Sequence, residues 1–233
     1  EQQFADEQQE KWIEIEAYLE AIATNSKKVV LSTGETISIP NGETPAYLEW
    51  ILWRVFLAVD SLVNKPWEAR RFKVDQDFLP VGVAASRGPD LIFEFERFVL
   101  VVEATLTSSS RQEAAEGEPV RRHVADIVEV YESKNKPVYG LFIANIVDSN
   151  TAETLRIGAW YRRDDSKMSL QIVPLTIGQL LGVVRSRTGS NKNTPAQIER
   201  LLRDCLAMSN LDAPAWKQAI QREVSRFISE NSA

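Results

Sequence analysis

DLIFEFERFVLVVEAT, residues 90–105, is the stretch that decides the fold of this 233-residue chain. Two apolar segments flank the polar pair Glu96-Arg97, and this pattern predicts two antiparallel strands, residues 90–95 and 98–105, joined by a tight turn. The second segment is apolar on both faces from Phe98 to Val102. Such a segment is typical of a central strand in a sheet that is covered on both sides.

Further strands and helices are predicted on both sides of this hairpin. Apolar β-type segments lie at residues 137–146 and 168–175, and residues 70–78 are compatible with another strand. Helical periodicity and first-turn prolines predict helices near residues 5–24, from Thr44, from Pro119, and over 176–187, 194–208 and 213–229. A short hairpin is expected between residues 28 and 39. The order of the elements indicates an α/β fold with a mixed central sheet flanked by helices.

Composition and charge exclude several classes of protein. The hydrophobic fraction is 44% and the charged fraction 26%, which is typical of an ordinary globular domain. No run approaches the roughly 18 apolar residues that span a bilayer, and the acidic N-terminus is unlike a secretory signal, so we expect a cytosolic protein without membrane partners. The chain lacks an initiator Met, which leaves open that it is part of a longer protein.

The content of metal-binding residue types restricts the metal sites that are possible. The chain has one cysteine, Cys205, and one histidine, His123, so an intramolecular disulfide and a zinc site of Cys and His are both excluded. A metal ion must therefore be held by oxygen ligands. The net charge of -6 counts against binding of nucleic acid by the whole surface, although a local basic face remains possible.

Two acidic residues face each other in the predicted hairpin. In a symmetric hairpin that turns at residues 96–97, Asp90 lies opposite Glu103, with the two Cβ atoms ~5 Å apart. Like charges at that distance repel unless a cation lies between them, and Mg²⁺ prefers such oxygen ligands. The carbonyl oxygen of Ala104 is a candidate third ligand. The alternative is that both acids are solvated residues at the rim of the sheet.

The residues around this pair resemble a known nuclease motif. Gly-Pro-Asp at residues 88–90, followed thirteen residues later by Glu-Ala-Thr at 103–105, resembles the PD-(D/E)xK nuclease signature. The longer stretch VVEATLTSSSRQEAAEGEPVRRHV, residues 101–124, resembles the catalytic domain of the AlwI-type IIS restriction endonucleases, a group that includes strand-nicking enzymes with a Glu-x-Thr motif. The resemblance runs from about Thr44 to Asn145.

The resemblance implies a set of site residues. Asp90 and Glu103 are implied as ligands of Mg²⁺, for which Mn²⁺ can substitute, and Glu116 is added as a further catalytic residue. Glu49, on the helix before the sheet, matches an acid that such nucleases place near the metal. Thr105 is a departure, because a neutral side chain stands where the wider superfamily has a lysine. A second metal ion or Arg121 is a candidate substitute, or Glu116 orients the attacking water.

Basic residues near this stretch are candidates for contacts with DNA. Arg121, Arg122 and His123 follow the acidic residues Glu113 and Glu116, and arginine is well suited to phosphate recognition. The alternative is that this segment is a salt-bridged surface and that His123 has a structural role. A second basic stretch contains Arg185, Arg187, Lys192 and Arg200, and it is as consistent with a solvated face as with a phosphate track.

The function implied by the resemblance is that of a type II site-specific deoxyribonuclease from a bacterial restriction-modification system. We expect a single nuclease domain, with an N-terminal helix and hairpin (1–42), a catalytic core (44–175) and C-terminal helices (176–233). The implied partners are double-stranded DNA and a separate recognition domain or larger subunit, with dimerisation as a route to double-strand cleavage. The alternative is a catalytically silent DNA-binding or dimerisation module on the same fold.

Overall fold

The computed structural model describes residues 1–59, 61–85, 88–108, 111–186 and 194–231. The N-terminal part contains three helices and a small hairpin: α1 (Gln2–Glu7), α2 (Trp12–Ala23), β1 (Lys28–Val30), β2 (Thr36–Ser38) and α3 (Thr44–Leu57). The central part contains β3 (Leu91–Glu94), β4 (Val99–Thr105), α4 (Gln112–Glu132), β5 (Val138–Ala144) and α5 (Ser149–Ile157). The remaining elements are β6 (Ala159–Tyr161), β7 (Lys167–Ser169), β8 (Gln171–Thr176), α6 (Ile177–Arg185), α7 (Pro195–Ala207) and α8 (Ala213–Asn231).

The central sheet is mixed and has the strand order β3-β4-β5-β8. Strands β3 and β4 are antiparallel, whereas β4, β5 and β8 run parallel to one another. Leu91 pairs with Val102 and Glu94 with Val99, so the predicted hairpin and its register are confirmed. The parallel pairing also brings the carboxyl ends of β4, β5 and β8 to one edge of the sheet.

Helices cover both faces of the sheet, as the apolar pattern of β4 predicts. Leu100 and Val102 belong to the larger apolar core, which α2, α3, α6, α7 and α8 complete. Val99 and Val101 belong to the second core, which lies under α4 and α5. Side chains alternate between the faces of a strand, so Glu103 points to the same face as Val99 and Val101, toward α4.

Two predicted helices differ from the observed ones. The helix expected at 5–24 is two helices, because Gln8 turns inward between them, donates to the carbonyl of Phe4 and accepts a hydrogen bond from the buried Arg54. The helix expected to begin at Pro119 begins at Gln112, and Pro119 lies inside it. A proline removes one N–H from a helix, and the contacts of α4 with the sheet and with α5 tolerate that loss.

Other elements were predicted wrongly or not at all. Residues 70–78 do not form a strand and contribute only the isolated bridges Arg70–Leu91 and Val74–Pro80. Helix α5 and strand β6 were not predicted, and the single strand expected over residues 168–175 is divided between β7 and β8. Helix α5 nevertheless has a local signal, since Asp148 caps the N–H groups of Asn150 and Thr151 and Gly158 ends the helix with a φ of 56°. No helix among the described residues is long and apolar enough to cross a membrane.

Candidate active site

Asp90 and Glu103 lie at the edge of the sheet where β3 begins and β4 ends. Asp90 immediately precedes β3, and its Oδ2 atom accepts a hydrogen bond from the backbone N–H of Ala104 at 2.8 Å. Glu103 lies in β4 and is only 8% exposed. The antiparallel register continues from the Leu91–Val102 pair and so brings these two carboxylates to the same place.

A third carboxylate reaches this edge from α3. Helix α3 packs with almost every side chain buried, and Glu49 on it is only 6% exposed. Its Oε2 atom accepts a hydrogen bond from the backbone N–H of Ala84 at 2.6 Å. The negative charges of Glu49, Asp90 and Glu103 act on one another. We call these three residues the acidic cluster.

The acidic cluster is destabilised in its fully ionised form. Burial, followed by the charge of Asp90, raises the pKa of Glu49 to about 8. Burial, followed by the charge of Glu103, raises the pKa of Asp90 to about 7, and burial, followed by the charge of Glu116, raises the pKa of Glu103 to about 9. Desolvation and like charges both disfavour carboxylate ions, so a cation placed here would be strongly favoured.

His123 contacts the acidic cluster from α4. Its Nδ1 atom lies 2.7 Å from Oε1 of Glu103, and the imidazole is buried. Burial, followed by the charge of Arg122, lowers the pKa of His123, so the neutral imidazole is the form that orients Glu103. Within the described ranges, the Nε2 atom of His123 is buried and has no hydrogen-bond partner. The sequence leaves a DNA contact or a structural role open for His123, and the structure places its Nδ1 atom against a carboxylate.

Thr105 and Glu116 are the remaining site residues that the resemblance implies. Thr105 ends β4, and its Oγ1 atom accepts a hydrogen bond from the N–H of Thr107 at 3.1 Å. Glu116 is half-buried on α4, and its charge raises the pKa values of both Asp90 and Glu103. Glu116 and His123 are seven residues apart on one helix, so they share the face that looks toward the sheet.

The two arginines that were predicted to bind DNA are engaged with the protein itself. Arg121 donates from Nε to the carbonyl of Gly117 at 2.9 Å and from Nη1 to that of Ala159 at 3.3 Å. Arg122 donates from Nε to Glu118 on the same helix at 3.0 Å. Arg122 nevertheless acts on the site, because its positive charge lowers the pKa of Glu103.

The second basic stretch is only partly within the described residues. Arg185 pairs with Glu16 and Glu20 on α2, and Arg200 pairs with Glu230 on α8. Arg187 and Lys192 lie outside the described residues. The two described arginines therefore form part of a salt-bridged surface.

Sequence reasoning missed two residues near the site. Gln112 is completely buried at the start of α4, where it donates to the carbonyl of Ile146 and accepts from the N–H of Asp148. It thereby ties the helix that carries Glu116 to the loop after β5. Arg71 lies beside Asp90 and lowers the pKa of Glu103. Neither residue has a local sequence signal, because their positions depend on contacts between distant segments.

The donor atoms at this edge fit a hard divalent cation. One oxygen each of Glu49 and Asp90 accepts a hydrogen bond from a backbone N–H, and one oxygen of Glu103 lies 2.7 Å from Nδ1 of His123. The other oxygen of each carboxylate is a candidate ligand. No three His, Cys, Asp or Glu side chains form a ready ligand group in the part of the chain that the structure describes. Mg²⁺ typically takes only one or two carboxylates and completes its shell with waters and substrate phosphates, so this donor set fits Mg²⁺.

The class of protein follows from similarity to a solved structure with the same fold. The chain is similar to the small subunit of the heterodimeric restriction endonuclease R.BspD6I, with a TM-score of 0.63, 27% identity, and coverage of 93% of this chain and 97% of that one. The fold is therefore that of a restriction endonuclease, as the sequence predicts.

The family is shown by a sequence match. The family model described as AlwI restriction endonuclease matches residues 1–183, and the chain belongs to this family. The resemblance seen at residues 44–145 is thus confirmed, and it extends through the N-terminal helices and past β8. No curated protein sequence matches the chain significantly.

Proposed function

We propose that this chain is a metal-dependent endodeoxyribonuclease that hydrolyses DNA phosphodiester bonds as the cleavage subunit of a type IIS or nicking restriction endonuclease. The observation that carries the proposal is the acidic cluster, in which the buried Glu49 and Glu103 and the half-buried Asp90 meet at one edge of the sheet and raise one another's pKa values. Burial and mutual repulsion of carboxylates destabilise the folded protein. A divalent cation bound between them would offset that repulsion.

The residues of the acidic cluster and its neighbours would have separate roles in hydrolysis. Asp90 and Glu103, with the carbonyl of Ala104, would hold Mg²⁺, and Glu49 would support them. A Mg²⁺ ion held by these residues would supply a lowered pKa for water and positive charge near the phosphate. The N–H of Ala104 fixes Asp90, and the imidazole of His123 fixes Glu103. Glu116 orients the attacking water and accepts its proton.

The bond changes are those of hydrolysis. The water oxygen forms a bond to phosphorus while the bond between phosphorus and the 3′ oxygen breaks. The 3′ oxygen takes a proton from solvent, so the products are a 5′-phosphate and a 3′-hydroxyl.

A larger subunit that recognises the DNA sequence is part of the proposal. The similar solved chain is itself the small subunit of a heterodimer, and this chain covers nearly all of it. The net charge of -6 is unfavourable for tight binding of duplex DNA by this chain alone. We therefore infer that recognition is supplied by the partner and cleavage of one strand by this chain.

The second candidate function is a silent module that binds the partner or DNA without cleavage. Its supporting observation is Thr105, a neutral residue at the position where related nucleases have a lysine. Metal-dependent nicking of plasmid DNA by the purified chain separates the two candidates, because a silent module leaves supercoiled plasmid intact with and without Mg²⁺.

The purified chain alone is expected to nick supercoiled plasmid slowly and with little sequence preference. Binding that rests on a few phosphate contacts weakens steeply as salt rises, so nicking should fall between 50 and 200 mM NaCl by about 10-fold or more. The measurement is a time course of plasmid forms on agarose gels over a range of salt concentrations. Discrete double-strand cutting at one sequence by a monomeric sample would contradict the inference that recognition lies in a partner.

The stability of the metal-free protein is expected to fall as pH rises. The folded pKa values of Asp90 and Glu103 are about 7 and about 9, above their ordinary values of 3.8 and 4.5. The folded protein therefore binds more protons than the unfolded chain between about pH 4 and 9, and its free energy of unfolding decreases over that window. Urea denaturation at pH 5.5, 7.0 and 8.5 in EDTA measures this decrease.

Magnesium is expected to reverse this trend. A cation that binds only the folded protein raises its apparent stability, and it binds best when the carboxylates are ionised. The Tm shift caused by millimolar Mg²⁺ should therefore be larger at pH 8.5 than at pH 5.5. Glu103→Gln should flatten both dependences, whereas Asp165→Asn, in the exposed β6–β7 turn, should leave them as in the wild type. An unchanged Tm with Mg²⁺ at every pH would count against the metal site.

A further inference from the structure

Arg71 lies beside Asp90 because residues 69–71 pair with the start of β3. The N–H of Ile92 donates to the carbonyl of Ala69 at 2.9 Å, and the N–H of Arg71 donates to the carbonyl of Asp90 at 3.3 Å. An isolated bridge between Arg70 and Leu91 continues the pairing. These backbone contacts hold Arg71 next to Asp90, the residue before β3. The side chain of Arg71 is exposed.

The guanidinium of Arg71 lies directly against the backbone of Gly88. A Cβ atom placed on Gly88 would be 2.7 Å from Cζ, 2.9 Å from Nη1 and 3.0 Å from Nη2 of Arg71. Gly88 also has a φ of 149°, which side chains rarely adopt. The φ value favours glycine at this position, and the end of the Arg71 side chain occupies the space that a Cβ atom would take, two residues before Asp90.

The positive charge of Arg71 acts on the acidic cluster. It lowers the pKa of Glu103, as the charge of Arg122 does. Arg71 differs from Arg122 in its position, because backbone pairing places Arg71 beside Asp90 whereas Arg122 lies on α4. Thr105, the residue at the lysine position of the nuclease motif, carries no charge.

We propose that Arg71 is a catalytic residue that contacts the scissile phosphate and supplies the positive charge that Thr105 cannot. The inference rests on the proposed nuclease function. A guanidinium donates two parallel N–H bonds to a pair of phosphate oxygens, and charge on these oxygens increases as the water attacks. Arg71 keeps its proton throughout, since the proton of the water leaves through Glu116 and the 3′ oxygen is protonated by solvent.

The test is single-turnover nicking of supercoiled plasmid by the purified chain in Mg²⁺, at protein concentrations that saturate the DNA. Arg71→Ala is expected to lower the rate constant by about 10² to 10³-fold with little change in DNA affinity, since the contact strengthens in the transition state. Arg71→Lys should retain part of the rate, because it keeps the charge without the paired N–H geometry. Added guanidinium should partly restore Arg71→Ala and leave Arg71→Lys unchanged.

Lys73→Ala is the matched control. Lys73 is exposed in the same segment. The Lys73→Ala variant loses one positive charge, as Arg71→Ala does, and it should cleave DNA at the wild-type rate.

The outcomes distinguish this inference from the function on which it rests. If the wild-type chain cleaves and Arg71→Ala cleaves equally fast, the role of Arg71 is wrong and the nuclease function stands. Equal losses in Arg71→Ala and Lys73→Ala would show a general charge effect and would also overturn the role. If the wild-type chain and all variants fail to cleave in Mg²⁺ or Mn²⁺, the proposed function itself fails.

Discussion

Replacement of Asp90 by Asn, or of Glu103 by Gln, will reduce DNA cleavage by about 10³-fold or more, since each change removes a charge that the reaction needs. Both substitutions keep the shape of the side chain. The amide that replaces Asp90 would retain an oxygen that accepts from the N–H of Ala104, and the amide that replaces Glu103 would retain a contact with His123. We therefore expect folded proteins whose loss is confined to the chemical step, measured as the single-turnover nicking rate in Mg²⁺.

The stability of these two variants provides an independent control. Burial and like charges raise the pKa values of both acids, so a neutral amide should make the metal-free protein more stable at pH 8.5, not less. Asp165→Asn changes the same group on the exposed β6–β7 turn and should affect neither rate nor stability. Wild-type cleavage by either site variant would show that the acidic cluster is not the active site.

Glu116→Gln is expected to lower the rate constant by roughly 10² to 10⁴-fold, the range typical of a general base. Glu116 lies on the face of α4 that carries His123, and its charge acts on both Asp90 and Glu103. The amide keeps the size of the side chain but accepts no proton from water. DNA affinity should be unchanged or slightly higher, because one negative charge near the phosphate is removed. Rate and affinity are measured separately by single-turnover cleavage and fluorescence anisotropy.

Thr105→Val is expected to be much milder, with less than about a 10-fold loss. The threonine carries no charge, and its hydroxyl accepts only the N–H of Thr107 among the described hydrogen bonds, a contact worth about 1 kcal/mol. Glu118→Gln, at an exposed position on α4, serves as the control for loss of a carboxylate from this helix. A larger effect for Thr105→Val than for Glu116→Gln would mean that the roles of the two residues are exchanged.

The hairpin and its acidic pair could be predicted from sequence because both depend on local patterns. Alternation of side chains fixes the faces of a strand, and the Glu96-Arg97 turn fixes the register. The opposition of Asp90 and Glu103 follows from that register alone. The burial of Val99–Val102 on both faces likewise follows from five consecutive apolar residues.

The remaining parts of the site depend on contacts between distant segments. His123 reaches Glu103 because α4 begins at Gln112 and passes through Pro119, whereas first-turn statistics favour a start at the proline. Arg71 reaches the site because residues 69–71 pair with the start of β3, although residues 70–78 form no regular strand. Glu49 could be predicted only through the family resemblance, since a helix position does not show which sheet edge it will meet.

The acidic cluster is expected to bind the divalent cation that cleavage requires. Crystals of the protein soaked in Mn²⁺ allow this to be measured by anomalous diffraction. We expect an anomalous peak between Asp90 and Glu103, within coordination distance of an oxygen from each, and no such peak in Glu103→Gln crystals. If the protein cleaves DNA in Mn²⁺ but its crystals show no peak at this position, the acidic cluster is not the metal site.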